Sequence, residues 1–518
     1  MYPFGLITFL QFAWEHELPS LLALMALGLF LSFVSLCYCS QPHPDAPVTL
    51  PGLPLINVTT FLKRRHDFLA WGFKVTNQRL FQFRLLRNKV VVVSGDRGRR
   101  DFFTAKGLDL QEGFRILSGG LPMIHGVTIE LRQQRVARIY KRLVNVQRNE
   151  RLTELIPEIL NDSQRLLRPW KKVGTFDPFS TIYELVFQAA IRCLACTEIA
   201  DDPEIVAHVR HLYDQIDRGT TPATVLFPWF PSPSMIMKAR ATKQLYDITV
   251  KAIKVRKESG VPRNDTLQIF LDSGDELTTI VGFTMGFVMA GARSTNATAS
   301  WLLTYLGCYP KWRNEARTEV EKLVTLYALE TITERDTQCH SSSALSSIPL
   351  AAWENETPVL DMLIHETLRI AQPHVAMRRN LGPETYIDGK VIPTGTLLVY
   401  PFASVHLDPA LYPDPWKFDP ARSQPKDNLA YVGWGGGRVT CLGSRLARLK
   451  IKLLTALMVL DFDFDTVDVS GRIADSPPKP DWNDILTCRP AHGQFFIAYK
   501  RRDAFEPSSC RSPGTGPL

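Results

Sequence analysis

The chain has 518 residues, 45% apolar and 22% charged, with a formal net charge of +8. That apolar content buries a large core and excludes a disordered chain, while basic residues spread without aromatic interleaving or zinc-finger spacing exclude nucleic acid as a partner. Nine cysteines at irregular positions (37, 39, 193, 196, 308, 339, 441, 488 and 510) form no disulfide framework, and no Gly/Ser linker or repeat divides the chain.

Residues 1–17 are a short leading segment. From Leu18 to Pro44 no side chain other than His43 can be charged at neutral pH, and Leu21 to Cys39 is almost wholly apolar, so 18–39 is expected to be a single transmembrane anchor. A cleaved signal peptide needs a basic leader, whereas Glu15 and Glu17 precede this run and the first basic residues, Lys63, Arg64 and Arg65, follow it. By the positive-inside rule the remainder faces the cytoplasm, which leaves sequons such as Asn57-Val58-Thr59 unglycosylated. A proline-rich hinge covers 40–60 and contains Pro51-Gly52-Leu53-Pro54.

Phe81–Leu85 and Val90–Ser94 read as a hairpin turning at Arg87-Asn88-Lys89, and Gly95 then starts a helix from Asp96 to Lys106. Residues 129–170 carry helical spacing with many arginines. Cys193 and Cys196 have CxxC spacing inside an apolar helical stretch, Tyr183–Ile199, which predicts buried thiols and no redox pair. Three prolines bar a regular helix over Leu226–Pro233; its aromatics either meet a membrane surface, line a substrate entrance or pack in a turn. In the helix expected over Leu277–Tyr309, Arg293 is the only charge. A charge at mid-bilayer is costly, so this helix is read as crossing the protein core and not a membrane. Ser341-Ser342-Ser343 opens an exposed loop, and 504–518 is a disordered tail.

Three short patterns carry chemistry. Glu366 and Arg369 lie at i and i+3, an arrangement worth only about 0.2–0.5 kcal/mol as an exposed pair. Phe418-Asp419-Pro420-Ala421-Arg422 follows, and then Trp434-Gly435-Gly436-Gly437-Arg438-Val439-Thr440-Cys441-Leu442-Gly443 runs into an apolar segment, Leu446–Leu460. Glycines let a backbone approach a flat partner closely. Cys441 precedes a predicted helix start, where the positive dipole favours thiolate. On these residues alone, Cys441 is either a metal-bound cysteine, with haem iron one candidate, or a structural cysteine in a surface turn. Arg445, Arg448 and Lys452 share one face of the following helix, either a solvated face or a docking face for an acidic partner.

In this order the motifs resemble the cytochrome P-450 superfamily over about residues 47–502. Gly435, Gly437, Cys441 and Gly443 match its haem-binding signature, with Trp434 in place of the usual phenylalanine and Val439 where histidine is frequent. The resemblance implies a mainly α fold with small β-sheets, an α+β class. In it, haem b sits between a long central helix and the cysteine loop, and the haem-thiolate catalytic domain spans 61–503. Cys441 becomes the axial ligand of iron, and Arg438 a propionate partner, with Arg378 or Arg379 next; His125 or Arg132 stands in for a missing Trp-x-x-x-Arg pattern. Glu366, Arg369 and Arg422 form a structural cluster bracing the cysteine loop. Ala290-Gly291-Ala292-Arg293-Ser294-Thr295 aligns with the oxygen-binding signature, so Gly291, Ser294 and Thr295 are the catalytic candidates. Arg293 replaces the usual acid, and an always-charged guanidinium is a poor proton relay. Ser294 is expected to organise the proton-delivering water while Arg293 turns away into a salt bridge.

The activity so implied is a membrane-anchored monooxygenase of the endoplasmic reticulum. It places one atom of dioxygen into a lipophilic substrate, using electrons from NADPH-cytochrome P-450 reductase, with cytochrome b5 as an optional second donor. Substrate contacts are expected from loops 107–128, 215–240 and 372–378. Arg369–His374, Val405-His406 and Trp434 resemble filamentous-fungal members that tailor secondary metabolites. Arg293 also leaves room for a haem-thiolate isomerase, dehydratase or peroxide-using enzyme; a non-catalytic haem-binding protein is the third reading.

Overall fold

The computed structural model describes residues 43–52, 54–85, 88–118, 133–227, 229–328, 341–372, 374–490 and 495–502. The anchor at 18–39, His125, Arg132 and the tail at 504–518 lie outside the described residues. Among those described, no helix is long and apolar enough to cross a membrane.

The main sheet has six strands, β1 (Val48–Thr49), β2 (Leu80–Leu85), β3 (Asn88–Val93), β4 (Leu108–Asp109), β5 (Val375–Asn380) and β6 (Leu397–Pro401), in the order β1-β2-β3-β6-β5-β4. The expected hairpin is present: β2 and β3 pair antiparallel with Phe81 opposite Val92, although β3 begins at Asn88, inside the predicted turn. Val90 to Val93 are all buried, because β3 lies between β2 and β6 and is covered on both faces. Residues distant in sequence thus meet here, as β3 pairs parallel with β6 and β5 antiparallel with β6.

Helices form most of the remainder. Those framing the site are α1 (Asp96–Thr104), α2 (Gln133–Val146), α3 (Asn149–Leu167), α4 (Pro178–Leu194), α5 (Pro203–Arg218), α6 (Pro233–Ser259), α7 (Leu277–Cys308), α8 (Pro358–Ile370) and α9 (Ser444–Asp461). Their ends follow local chemistry. Asp177, Asp202 and Ser232 accept backbone N–H bonds at the starts of α4, α5 and α6, each with proline in the first turn. Gly260 closes α6 in a left-handed conformation, φ 62°.

Several expectations need correction. Helix α1 ends at Thr104, short of Lys106. The stretch Tyr183–Ile199 is not one helix: α4 stops at Leu194 and a short turn of helix resumes at Thr197–Ala200. Both thiols there are nevertheless buried and unpaired, and burial pushes Cys193 up to about 11. Pro54 opens a helix, Pro54–Lys63, within the expected hinge. Ser341–Ser346 is helical and not an exposed loop, because Ala344 and Leu345 pack into the core and hold the serines in register. Over Leu226–Pro233 no long helix passes, and Phe227, Trp229 and Phe230 are exposed, which removes the packed-turn reading.

Helix α7 is the axis of the core. Trp301, Leu302, Tyr305 and Leu306 are buried, and Arg293 is the only charge along its length.

Candidate active site

The cysteine segment is a hairpin. β7 (Gly435–Gly436) pairs antiparallel with β8 (Val439–Thr440). Gly435 has φ 82°, and a Cβ there would lie 2.6 Å from Val439 O. Gly437 has φ 56°, and a Cβ there would run into Phe103 O at the end of α1. That same carbonyl accepts the Arg438 N–H at 3.0 Å. Glycine is therefore required by a backbone packed on a backbone. Cys441 N–H donates to Trp434 O at 2.7 Å, folding the cysteine back over the hairpin, and the thiol stands exposed beside it. Its surroundings act in two directions: desolvation pushes the thiol up, and the Gly443 N–H draws it down, with a net rise. Helix α9 starts only at Ser444, three residues beyond the cysteine, so desolvation is the larger influence on the thiol.

Glu366, Arg369 and Arg422 meet in a buried cluster. Arg369 Nε and Nη2 donate to the two Glu366 oxygens at 2.8 Å each, and Arg422 Nε donates to Glu366 Oε1 at 2.9 Å. Glu366 also accepts the Asp419 N–H at 3.1 Å. Arg369 Nη1 donates to His406 O at 2.7 Å, and His406 Nε2 accepts the Val432 N–H at 3.0 Å. Val432 O in turn accepts the Gly435 N–H at 2.8 Å. An unbroken set of hydrogen bonds thus runs from the cluster to the hairpin that holds Cys441.

Helix α7 exposes Ala290 and Ser294 among buried and half-buried neighbours. Ser294 Oγ donates to Ala290 O at 3.0 Å. Thr295 is buried, and its Oγ1 has no partner among the described residues. Arg293 is indeed turned aside: it forms an ion pair with Asp217 at the end of α5. Burial lowers its pKa to about 10.

The arginines divide. Arg378 on β5 is buried over the Phe102 ring at 5.5 Å, its Nη1 donating to Met377 O, and burial lowers it to about 10 with no carboxylate in ion-pair range among the described residues. Arg379, pointing to the other face of the strand, pairs with Glu112 at 3.3 Å. Arg438 is exposed and makes no ion pair among the described residues. The three α9 cations do not share one exposed face, because Lys452 is buried whereas Arg448 is exposed. Arg445 is held by Glu354 at 2.5 Å and by Gln147 O at 2.7 Å. Lys452 is buried against Trp353 O and Asp361, while Arg448 lies over the Trp434 ring at 5.3 Å. Three residues carried no sequence signal for their placement. Gln147 Nε2 donates to Leu442 O at 2.8 Å, Gln372 Nε2 donates to Gly433 O at 2.8 Å, and Lys450 Nζ donates to Gly291 O at 3.0 Å.

The arrangement fits a haem b. An accessible thiol, the exposed small residues Ala290 and Ser294 on α7, and two arginines beside α1 that form no ion pair among the described residues suit its iron, its ring and its propionates. The family model described as Cytochrome P450 matches residues 51–489, and the chain belongs to that family. The cytochrome P450 monooxygenase dmxR5 of Cryptosporiopsis sp. is 27% identical, over 86% of this chain and 88% of that one. The cytochrome P450 monooxygenase nsrP of Aspergillus novofumigatus is 29% identical, over 85% and 88%. Among solved structures, the retinoic acid-bound cyanobacterial CYP120A1 shares the fold with a TM-score of 0.67 at 21% identity, over 89% of this chain and all of that one. The enzyme class is that of these relatives, a cytochrome P450 monooxygenase.

Proposed function

We propose that this protein is a membrane-anchored haem-thiolate monooxygenase that oxygenates a lipophilic small molecule, as a tailoring step in fungal secondary metabolism. The observation that carries the reading is the Cys441 thiol, folded over the Gly435–Gly437 hairpin and braced through His406 to the Glu366 cluster. When bound, haem b supplies an iron whose bond to a cysteine thiolate favours cleavage of the dioxygen O–O bond. Cys441 would hold that iron, Gly435 and Gly443 would keep the backbone around it free of side chains, and Arg438 and Arg378 would take the propionates. Gly291 gives α7 its close approach to α4, since a Cβ there would lie 2.9 Å from Leu194 Cδ1. Ser294, facing the site, orients a water that hands on protons, and Thr295 supplies a second hydroxyl.

The exposed Phe227, Trp229 and Phe230 suit a lipid surface or an apolar substrate at the entrance. The anchor at 18–39, the endoplasmic reticulum membrane, and electron supply from NADPH-cytochrome P-450 reductase with or without cytochrome b5 complete the reading; the named relatives are fungal. A carbon monoxide difference spectrum of the reduced protein tests the centre, and the thiolate-type band is expected in the wild type and lost in Cys441→Ser. Absence of the band in the wild type overturns the reading. The engagement of Arg293 by Asp217 favours one alternative, a haem-thiolate isomerase, dehydratase or peroxide-using enzyme that needs no carboxylate relay. Substrate turnover that proceeds fully without NADPH and reductase would establish that alternative.

A further inference from the structure

Lys450 is nearly inaccessible, at 1% exposure, in the second turn of α9 beyond the cysteine segment. No carboxylate of the described residues pairs with it; its neighbours are the Cys193 thiol on α4 and the Gly291 carbonyl on α7, to which its ammonium donates at 3.0 Å. Burying an ammonium without a counter-ion is expensive, and a methionine or leucine would fill this position at lower cost. The carbonyl it engages belongs to the oxygen-site turn of α7.

The hydroxyls along α7 show what this contact changes. Ser294 donates to Ala290 O, Thr298 to Ser294 O and Thr304 to Ser300 O, each to the carbonyl four residues back, at 3.0, 3.0 and 2.8 Å. Ser300 donates instead to Pro178 O and to the Asn296 side-chain oxygen, at 3.0 Å each, and Thr295 also departs from the pattern. Its own carbonyl four residues back is Gly291 O, already taken by Lys450, and its buried Oγ1 has no partner. Gly291 is also where α7 comes nearest the lysine, a Cβ there lying 3.7 Å from Nζ.

We infer that Lys450 is a positioning residue for the oxygen-site turn: by occupying the Gly291 carbonyl it keeps the Thr295 hydroxyl off the helix backbone and available to a buried water, one residue from Ser294. The lysine works through Thr295 and touches no reacting atom. The inference rests on the monooxygenase reading and adds a proximal-to-distal tie, from the helix that follows the cysteine to the helix that faces it.

Lys450→Met keeps the stem and removes the donor. Thr295 is then expected to bond back to Gly291 O, and product formed per NADPH should fall about threefold or more, the scale of one hydrogen bond. In a Thr295→Val background the same substitution should change that ratio no further, because the hydroxyl it acts through is gone. Lys450→Gln, which can still donate, should recover part of the loss. A readout independent of turnover is amide hydrogen exchange over 289–298 in the purified full chain. The Lys450→Met, Thr295→Val double variant should exchange more slowly there than either single variant, as both competing donors have then left the Gly291 carbonyl. Unchanged or faster exchange, or equal losses in the Thr295 and Thr295→Val backgrounds, overturns the inference and marks Lys450 as a packing link. The carbon monoxide spectrum separates the two levels. A chain without the thiolate-type band overturns the monooxygenase reading, while the exchange measurement still decides the role of Lys450.

Discussion

Two adjacent arginines on one strand separate by what already holds them. Arg379 is paired with Glu112, whereas Arg378 is buried, feels Asp109 only beyond ion-pair range and pairs with no carboxylate among the described residues. Side chains alternate across a strand, so adjacent positions reach different surroundings, and only Arg378 has a charge left to satisfy. Arg378→Leu is therefore expected to raise the rate of haem loss to a scavenger protein by about 10- to 100-fold, the worth of hydrogen bonds to a charged group. Arg379→Leu should change it little, and equal effects would remove Arg378 from the propionate role. The same logic applies to Arg293, a departure from the family pattern that the sequence displays plainly. That it faces Asp217 was not legible, since Asp217 is 76 positions away and looks like any carboxylate at a helix end.

At the level of elements, the Arg293–Asp217 pair ties α7 to the last turn of α5, immediately before the segment that carries the exposed aromatics. Both side chains are largely buried, so removing one partner strands the other. Asp217→Ala should lower stability by about 3 kcal/mol, read from denaturant midpoints, and the reversed pair Arg293→Asp with Asp217→Arg should recover most of it. A neutral Asp217→Ala would mean the pair adds nothing to docking of α5. Glu366→Gln tests the other buried junction. It leaves Arg369 and Arg422 without their carboxylate, and a loss of about 3–5 kcal/mol is expected together with weaker haem retention, since the path through His406 to the hairpin is loosened. The motif at 366–369 was visible in the sequence as spacing. Its weight was not, because an exposed i, i+3 pair and a fully buried one are written with the same letters, and burial sets the energy.

For the molecule as a whole, pH reports how the core holds its histidines. His406 is fully buried, and its Nε2 accepts the Val432 N–H, so a proton on that nitrogen would break the bond; burial and Arg369 hold it well below its usual range. His374 is lowered from 6.5 to about 4 by burial and by Arg65. Both groups bind protons more readily in the unfolded chain. Their contribution is present in full above pH 6.5 and is lost as pH falls from there toward 4, by about 1.4 kcal/mol per pH unit for each group. Tm should be flat above neutrality and drop on acidification through that range, with a smaller drop in His406→Gln; a Tm that rises on acidification contradicts the burial of both rings. Sequence alone determined the family, the long helix with its single charge and the strand hairpin, because glycine spacing, apolar period and proline placement act within a few residues. Only the tertiary structure decided which arginine is free, where Arg293 turns, that Arg445 and Lys452 are occupied, and that Lys450 reaches Gly291. Those outcomes depend on burial and on partners brought together from distant parts of the chain, and neither is encoded in local spacing.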